Sequence, residues 1–186
     1  MREYFMEQAD KLLKEAITGE FNAIQRYKCF AETAEQENLP NVAYLFKALA
    51  AGELVHLENH KRALAEDFQP EVQDFTPGTT IENLKSSLNG ETKEFEEMYP
   101  RFIKSLKRAK KEHDQVARLS MQWARDVEKT HAMLLKKAIE RVEQHQDYIS
   151  VDFWVCSACG NLRAGENASN ACSVCRHDGR FFKKVE

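Results

Sequence analysis

Four long stretches of this sequence have helical periodicity, and a glutamate interrupts the middle of the apolar stripe in each. The first stripe reads Leu13, Ala16/Ile17, Glu20, Ile24, Tyr27, Ala31, Ala34, and the second Val42, Leu45/Phe46, Leu49, Glu53, His56, His60, Ala63/Leu64. The third reads Ile81, Leu84, Leu88, Glu91, Glu94/Phe95, Met98, Phe102, and the fourth Ala117, Met121, Ala124, Glu128, His131, Leu135, Ala138, Val142. A lone buried carboxylate costs several kcal/mol unless it is paired, protonated or metal-bound. No Lys or Arg stands in these stripes, and carboxylates cannot neutralise one another. Metal cations supply the missing charge.

Spacing sharpens the reading. Glu53-Leu54-Val55-His56 and Glu128-Lys129-Thr130-His131 each place a carboxylate and an imidazole one turn apart on one side of a helix. Glu20 and Glu91 are single donors from the other two helices. This is the donor set of a dinuclear site in a ferritin-like bundle. Such ligands suit iron or manganese, with zinc possible, and two metals in such a site lie ~3.5–4 Å apart. Glu94, one turn beyond Glu91, is a carboxylate more than a symmetric site requires. Glycine precedes three of the glutamates (Gly19, Gly52, Gly90), which predicts a need for space beside the ligands.

The breaks organise the rest. Helices are expected over 3–36, 41–66, 80–112 (kinked by Pro100) and 114–146, with a long aperiodic crossover from Asp67 to Gly78. Short first-to-second and third-to-fourth connections predict antiparallel pairs, and the crossover fits the ferritin-like connectivity. From Ile149 the character changes to aromatic and β-branched residues, four cysteines and a Gly/Asn-rich middle. The expected division is a bundle over 1–148 and a small β/loop domain over 149–186. Twenty-seven Lys and Arg against 30 Asp and Glu, with no basic run, give nucleic-acid binding no support. No apolar run reaches the ~20 residues of a membrane span, and the N-terminus lacks a secretory h-region. A cytoplasmic location is expected, where paired cysteines serve metals rather than disulfides.

Cys156-Ser-Ala-Cys159 and Cys172-Ser-Val-Cys175 are two such pairs, and four thiolates so spaced form a tetrahedral iron or zinc site. Cys29 is expected to be a reduced, partly buried thiol. His60 is expected in a supporting or packing role, and His113, His145 and His177 in solvent. Met98 and Met121 are expected to fill the core. Tyr27 and Tyr99 fall near the carboxylate layer, where their hydroxyls can bond ligand oxygens or simply pack.

These residues closely resemble the rubrerythrin family over nearly the whole chain. Glu20, Glu53-x-x-His56, Glu91-x-x-Glu94 with Met98-Tyr99-Pro100, and Glu128-x-x-His131 match its di-iron motif in order, and the knuckles match its rubredoxin-like domain. The resemblance implies two irons in the bundle and one in the cysteine site. It also implies a peroxidase of oxidative-stress defence that reduces hydrogen peroxide to water. Electrons would arrive through the Fe(Cys)4 centre, from NAD(P)H by way of a separate reductase or from a rubredoxin. Glu94 and His56 would exchange at one iron, and Tyr27 and Tyr99 match family tyrosines near the irons. The sequence departs at the second knuckle, with Arg176 where Gly is usual and Ser173 where Pro is common.

Two rivals stand beside this reading: a ferroxidase or iron-storage protein, and an electron carrier with zinc in one site. The chain's length adds a further expectation. Fifteen residues separate His131 from Gln146, about 22 Å of helix at 1.5 Å per residue. A cysteine domain tethered there lies far from its own di-iron site unless it folds back, so a homodimer with electron transfer between chains is expected.

Overall fold

The computed structural model describes residues 2–64, 66–108 and 111–186, with side chains from residue 8 onward. Helices α1 (Arg2–Gln36) and α2 (Pro40–Leu64) form one antiparallel pair, turned at Asn38, which takes the left-handed conformation at φ 61°. The other pair is formed by α3 (Thr80–Lys93), a π-helical turn (Glu94–Met98) and α4 (Tyr99–Ser105) on one side, with α5 (Glu112–Val142) returning. The crossover is tied to α1 by Asn22, whose side chain donates to the Glu71 carbonyl and accepts from the Gln73 N–H, each at 2.8 Å. None of the described helices is long and apolar enough to cross a membrane.

In the third helix Pro100 stands in the first turn of α4, directly after a π-helical turn. There the Tyr99 N–H reaches back five residues to the Glu94 carbonyl. A π turn inserts one residue into the helical repeat. It carries Tyr99 and Phe102 into the core and leaves Glu94, Phe95 and Met98 only half-buried. The fourth helix ends four residues early, through a turn in which His145 takes φ 56°.

Two apolar cores fill the bundle. Leu13, Ile17, Tyr99, Phe102 and Met121 belong to one, and Phe30, Phe46, Leu49, Leu84 and Leu135 to the other. On every helix the stripe glutamate falls in sequence between the two.

Strands β1 (Phe153–Cys156), β2 (Leu162–Ala164) and β3 (Phe182–Lys184) make an antiparallel sheet in the order β2-β1-β3. This unit folds back along α2, which corrects the expectation of a cysteine site remote from its own bundle. Asp147 caps the N-terminus of α2, accepting from the N–H groups of Asn41 (2.9 Å) and Val42 (3.1 Å). Further along, Tyr44 packs on Phe153 and donates to the Val185 carbonyl, and Asn59 donates to the Ala158 carbonyl. Phe153, Val155, Leu162 and Val185 thereby join the core of the bundle. Exposed as an isolated sheet, those side chains would stay wet; laid on α2 they are buried.

Asp147 serves as a helix cap supplied from 106 positions away, so Asp147→Ala should lower stability by about 1–2 kcal/mol, read as a lower urea midpoint with an unchanged slope.

Candidate di-iron and tetra-cysteine sites

Six side chains from four helices meet at the middle of the bundle. Glu20, Glu53, His56 and Glu128 form one group, and Glu53, Glu91, Glu128 and His131 a second, with one ligand atom from each residue within 4.8 Å of the others in its group. Glu53 and Glu128 belong to both, the arrangement of bridging carboxylates between two cations. None of the six is more than 3% exposed. Glu-x-x-His on α2 and on α5 faces inward because three residues make almost one turn.

Both imidazoles turn Nδ1 toward the carboxylates. His56 Nδ1 lies 2.9 Å from Glu53 and 3.0 Å from Glu128, and His131 Nδ1 lies 3.1 Å from Glu53 and 2.8 Å from Glu128. On its far side, His56 Nε2–H donates to the carbonyl of Cys159 at 3.0 Å. A carbonyl only accepts, so this bond places the proton on Nε2 and leaves Nδ1 of the neutral ring free to ligate.

Burial, then the neighbouring carboxylates, push the Glu20, Glu91 and Glu94 carboxyls well above their ordinary range. Burial acts the same way on Glu53 and Glu128, but the imidazoles facing them outweigh it and hold both below that range. Those carboxylates in turn raise His56 and His131 against the effect of burial. Without a metal the layer therefore depends on protons. Glu20 Oε2, Glu53 Oε2, Glu91 Oε2, both oxygens of Glu128 and His56 Nδ1 are buried with no well-aligned hydrogen-bond partner. Orphaned acceptors of this kind are what two divalent cations would satisfy, so the donor set fits an iron pair.

The tyrosines hold the outer carboxylates crosswise. Tyr27 on α1 donates to Glu91, and Tyr99 on α4 donates to Glu20. Each tyrosine follows the glutamate of its own half, by seven residues (Glu20 to Tyr27) and by eight (Glu91 to Tyr99), the extra one being the π insertion. Burial and the adjacent carboxylates raise both phenols, keeping them protonated donors. His60 joins this network, with Nε2 at 3.1 Å from the Tyr99 hydroxyl and Nδ1 at 3.0 Å from Ser120. Burial, with His56 nearby, lowers His60 to about 3, so it stays neutral. Glu94 belongs to neither ligand group and stands half-buried beside them.

The four knuckle cysteines converge within 4.8 Å. Cys156 and Cys175 sulfurs are 3.7 Å apart and those of Cys159 and Cys172 3.6 Å. That is too long for a disulfide and close to the ~3.8 Å edge of a tetrahedron with ~2.3 Å metal–sulfur bonds. Gly160 (φ 86°) and Arg176 (φ 65°) follow the second cysteine of each knuckle in the left-handed conformation. Only the first must be glycine for space, since a Cβ on Gly160 would lie 2.6 Å from His56 Nε2. Arg176 points to solvent and meets no such wall.

A family model described as rubrerythrin matches residues 11–139. The chain belongs to the rubrerythrin family. It is 33% identical over 167 residues to Rubrerythrin-2 of Clostridium acetobutylicum, covering 88% of this chain and 89% of that one. It is 32% identical over 168 residues to nigerythrin of Nitratidesulfovibrio vulgaris, covering 88% and 79%. A nigerythrin structure in a mixed-valent state superimposes with a TM-score of 0.84 at 27% identity, covering 95% of this chain and 86% of that one. The chain is thus a rubrerythrin-family protein with a di-iron carboxylate/histidine site and a C-terminal tetra-cysteine site.

Several contacts around the sites escape a sequence reading. Gly52 has the crowding predicted for all three glycines, a Cβ there falling 2.8 Å from His131 Nε2, but Gly19 and Gly90 face open space. His113 pairs with Asp10 at 2.8 Å while staying 26% exposed, and His177 packs between Trp123 and Phe181. Cys29 is half-buried and reduced, and Met121 is fully buried.

Removal of metal makes the proton dependence of the layer measurable. Above pH 6.5 the unfolded chain releases the protons that His56 and His131 keep when folded, so their stabilisation is complete below 6.5 and is lost as pH rises. The raised Glu20, Glu91 and Glu94 act in the same direction, while Glu53 and Glu128 are ionised in both states. The lowered His60 works the other way, but its effect is nearly spent once the unfolded ring has also lost its proton, by about pH 7. Metal-free protein should therefore melt at a lower temperature at pH 8 than at pH 6.5, and iron loading should flatten that difference.

Proposed function

We propose that the chain is a peroxidase of oxidative-stress defence, reducing hydrogen peroxide to two waters with electrons relayed from its own tetra-cysteine iron. The observation that supports this most is the hydrogen bond from His56 to the Cys159 carbonyl, which joins a residue of the di-iron layer directly to the backbone of a cysteine ligand. A ferroxidase or storage protein has no use for such a junction.

Glu20, Glu53, His56, Glu91, Glu128 and His131 would hold the iron pair, and Cys156, Cys159, Cys172 and Cys175 the third iron. When bound, the pair supplies two electrons to the O–O bond. Hydrogen peroxide also needs two protons to leave as two waters. Glu94 is placed to deliver them, being half-buried at the edge of the layer, with burial and nearby carboxylates favouring its protonated form. His56 now stands with the cluster and Glu94 outside it, the arrangement from which the two would exchange. Tyr27 and Tyr99 fix the orientation of Glu91 and Glu20 while this happens.

The electrons would come from an NAD(P)H-dependent reductase or a rubredoxin acting on the cysteine module. Because the module lies on its own bundle, the relay does not require a second chain. A homodimer is proposed on other grounds: Val116 and Leu119, one turn apart on α5, are 46% and 44% exposed.

Cys172→Ser with Cys175→Ser tests the relay. Chemically reduced protein should still consume peroxide, while turnover from the reductase should fall at least tenfold; unchanged turnover would end the relay. Glu94→Ala should keep its iron yet slow the reaction with peroxide at least tenfold, whereas full activity would make Glu94 a bystander.

A further inference from the structure

A cavity of about 30 Å³ lies beside the carboxylate layer, between α1 and the third helix. Ala23, Arg26 and Tyr27 bound it on one side and Ser87, Gly90 and Glu94 on the other, with the buried ligand Glu91 also in its lining. Roughly 10–15 Å³ of such space holds one water. The cavity therefore has room for a guest a little larger than one water, the size of hydrogen peroxide. We propose that this cavity is the substrate's path to the di-iron site and restricts it to hydrogen peroxide and oxidants of similar size, excluding alkyl hydroperoxides. The inference rests on the peroxidase reading above and adds its substrate range.

Gly90 is the most informative residue of the lining. Glycine inside a helix costs up to ~1 kcal/mol relative to alanine. At Gly52 crowding against His131 explains that cost, but a Cβ at Gly90 would meet nothing within 4 Å. Gly90 thus leaves its part of the cavity wall without a side chain. The opposite wall has little room to yield. Tyr27 is stacked on Phe46 at 5.9 Å, and Phe30, also in the lining, sits edge-on to Phe46 (5.6 Å) and to Phe75 of the crossover (6.0 Å). A branched alkyl group could enter only by displacing this aromatic cluster.

The polar lining suits a small hydroxylic molecule. Ser87 donates its hydroxyl proton to the Asn83 carbonyl at 2.8 Å, so toward the cavity it offers only acceptor lone pairs, and hydrogen peroxide brings two O–H donors. Half-buried Arg26 and Glu94 add a guanidinium and a carboxyl group to the same lining, which favours a polar guest over an apolar one.

The test uses iron-loaded full-length protein and two variants, Gly90→Ala and Gly90→Leu. Azide, a three-atom ligand that changes the visible spectrum when it reaches ferric iron, reports access independently of turnover. Azide uptake and reaction with hydrogen peroxide should both slow at least tenfold in Gly90→Leu and less in Gly90→Ala, with helix content by circular dichroism unchanged. The wild type should react with tert-butyl hydroperoxide at least a hundredfold more slowly than with hydrogen peroxide. Wild-type azide uptake in a folded Gly90→Leu protein would overturn the proposal, as would equal rates with the two peroxides. If Gly90→Leu loses its helix content, Gly90→Ala decides: its side chain meets no neighbour, and unslowed azide uptake there overturns the path. A wild type that takes up azide but ignores both peroxides would overturn the peroxidase reading, and the substrate range with it.

Discussion

Everything in this molecule is arranged around a layer of glutamates that the bundle buries with only two imidazoles, His56 and His131, facing them among the described residues. In water the carboxylates would ionise freely; between two apolar cores each ionised carboxylate costs several kcal/mol unless something positive replaces its hydration. The imidazoles of His56 and His131 make up part of this, which is why Glu53 and Glu128 keep their charge while Glu20 and Glu91 are driven toward protonation. Two cations complete it. The site therefore contributes to folding as well as to chemistry, and its tyrosines, held to Glu91 and Glu20 across the two halves, fix α1 against α3 and α4.

The second constraint is close approach. The cysteine module reaches His56 only because α2 and the first knuckle meet through glycines, a Cβ on Gly52 falling 3.0 Å from the Gly160 carbonyl and one on Gly160 falling 2.7 Å from the Gly52 carbonyl. Backbone thus stands where side chains would hold the two units apart. The second knuckle has the same backbone conformation without the same neighbour. Arg176 there bears only the ~1–2 kcal/mol strain of a left-handed side chain, a cost an exposed position tolerates and the Gly160 position could not.

Much of this was legible in the residues. Periodicity of 3.6 marked the buried faces of α1, α2 and α5 with hardly an error, and the two Glu-x-x-His pairs named both shared carboxylates. The third helix was harder because one inserted residue barely disturbs an apolar pattern while turning every later side chain by about 100°. The one local trace of it is the Tyr spacing, seven after Glu20 but eight after Glu91. The return of the module along α2 left no local trace at all. It depends on contacts such as Asp147 with Asn41 and Cys159 with His56, each about a hundred residues apart. The partners of His113 and His177 are hidden for the same reason, since Asp10 and Trp123 are distant in sequence.

The central claim is that two cations, held in the carboxylate layer, complete the bundle. Anomalous diffraction at the iron absorption edge, on crystals of protein grown with iron, tests it most directly. Two peaks inside the layer, flanked by Glu53 and Glu128, with a third among the four cysteine sulfurs, are the predicted result. A well-ordered layer with no peak, its glutamates joined to one another or to water, would contradict it.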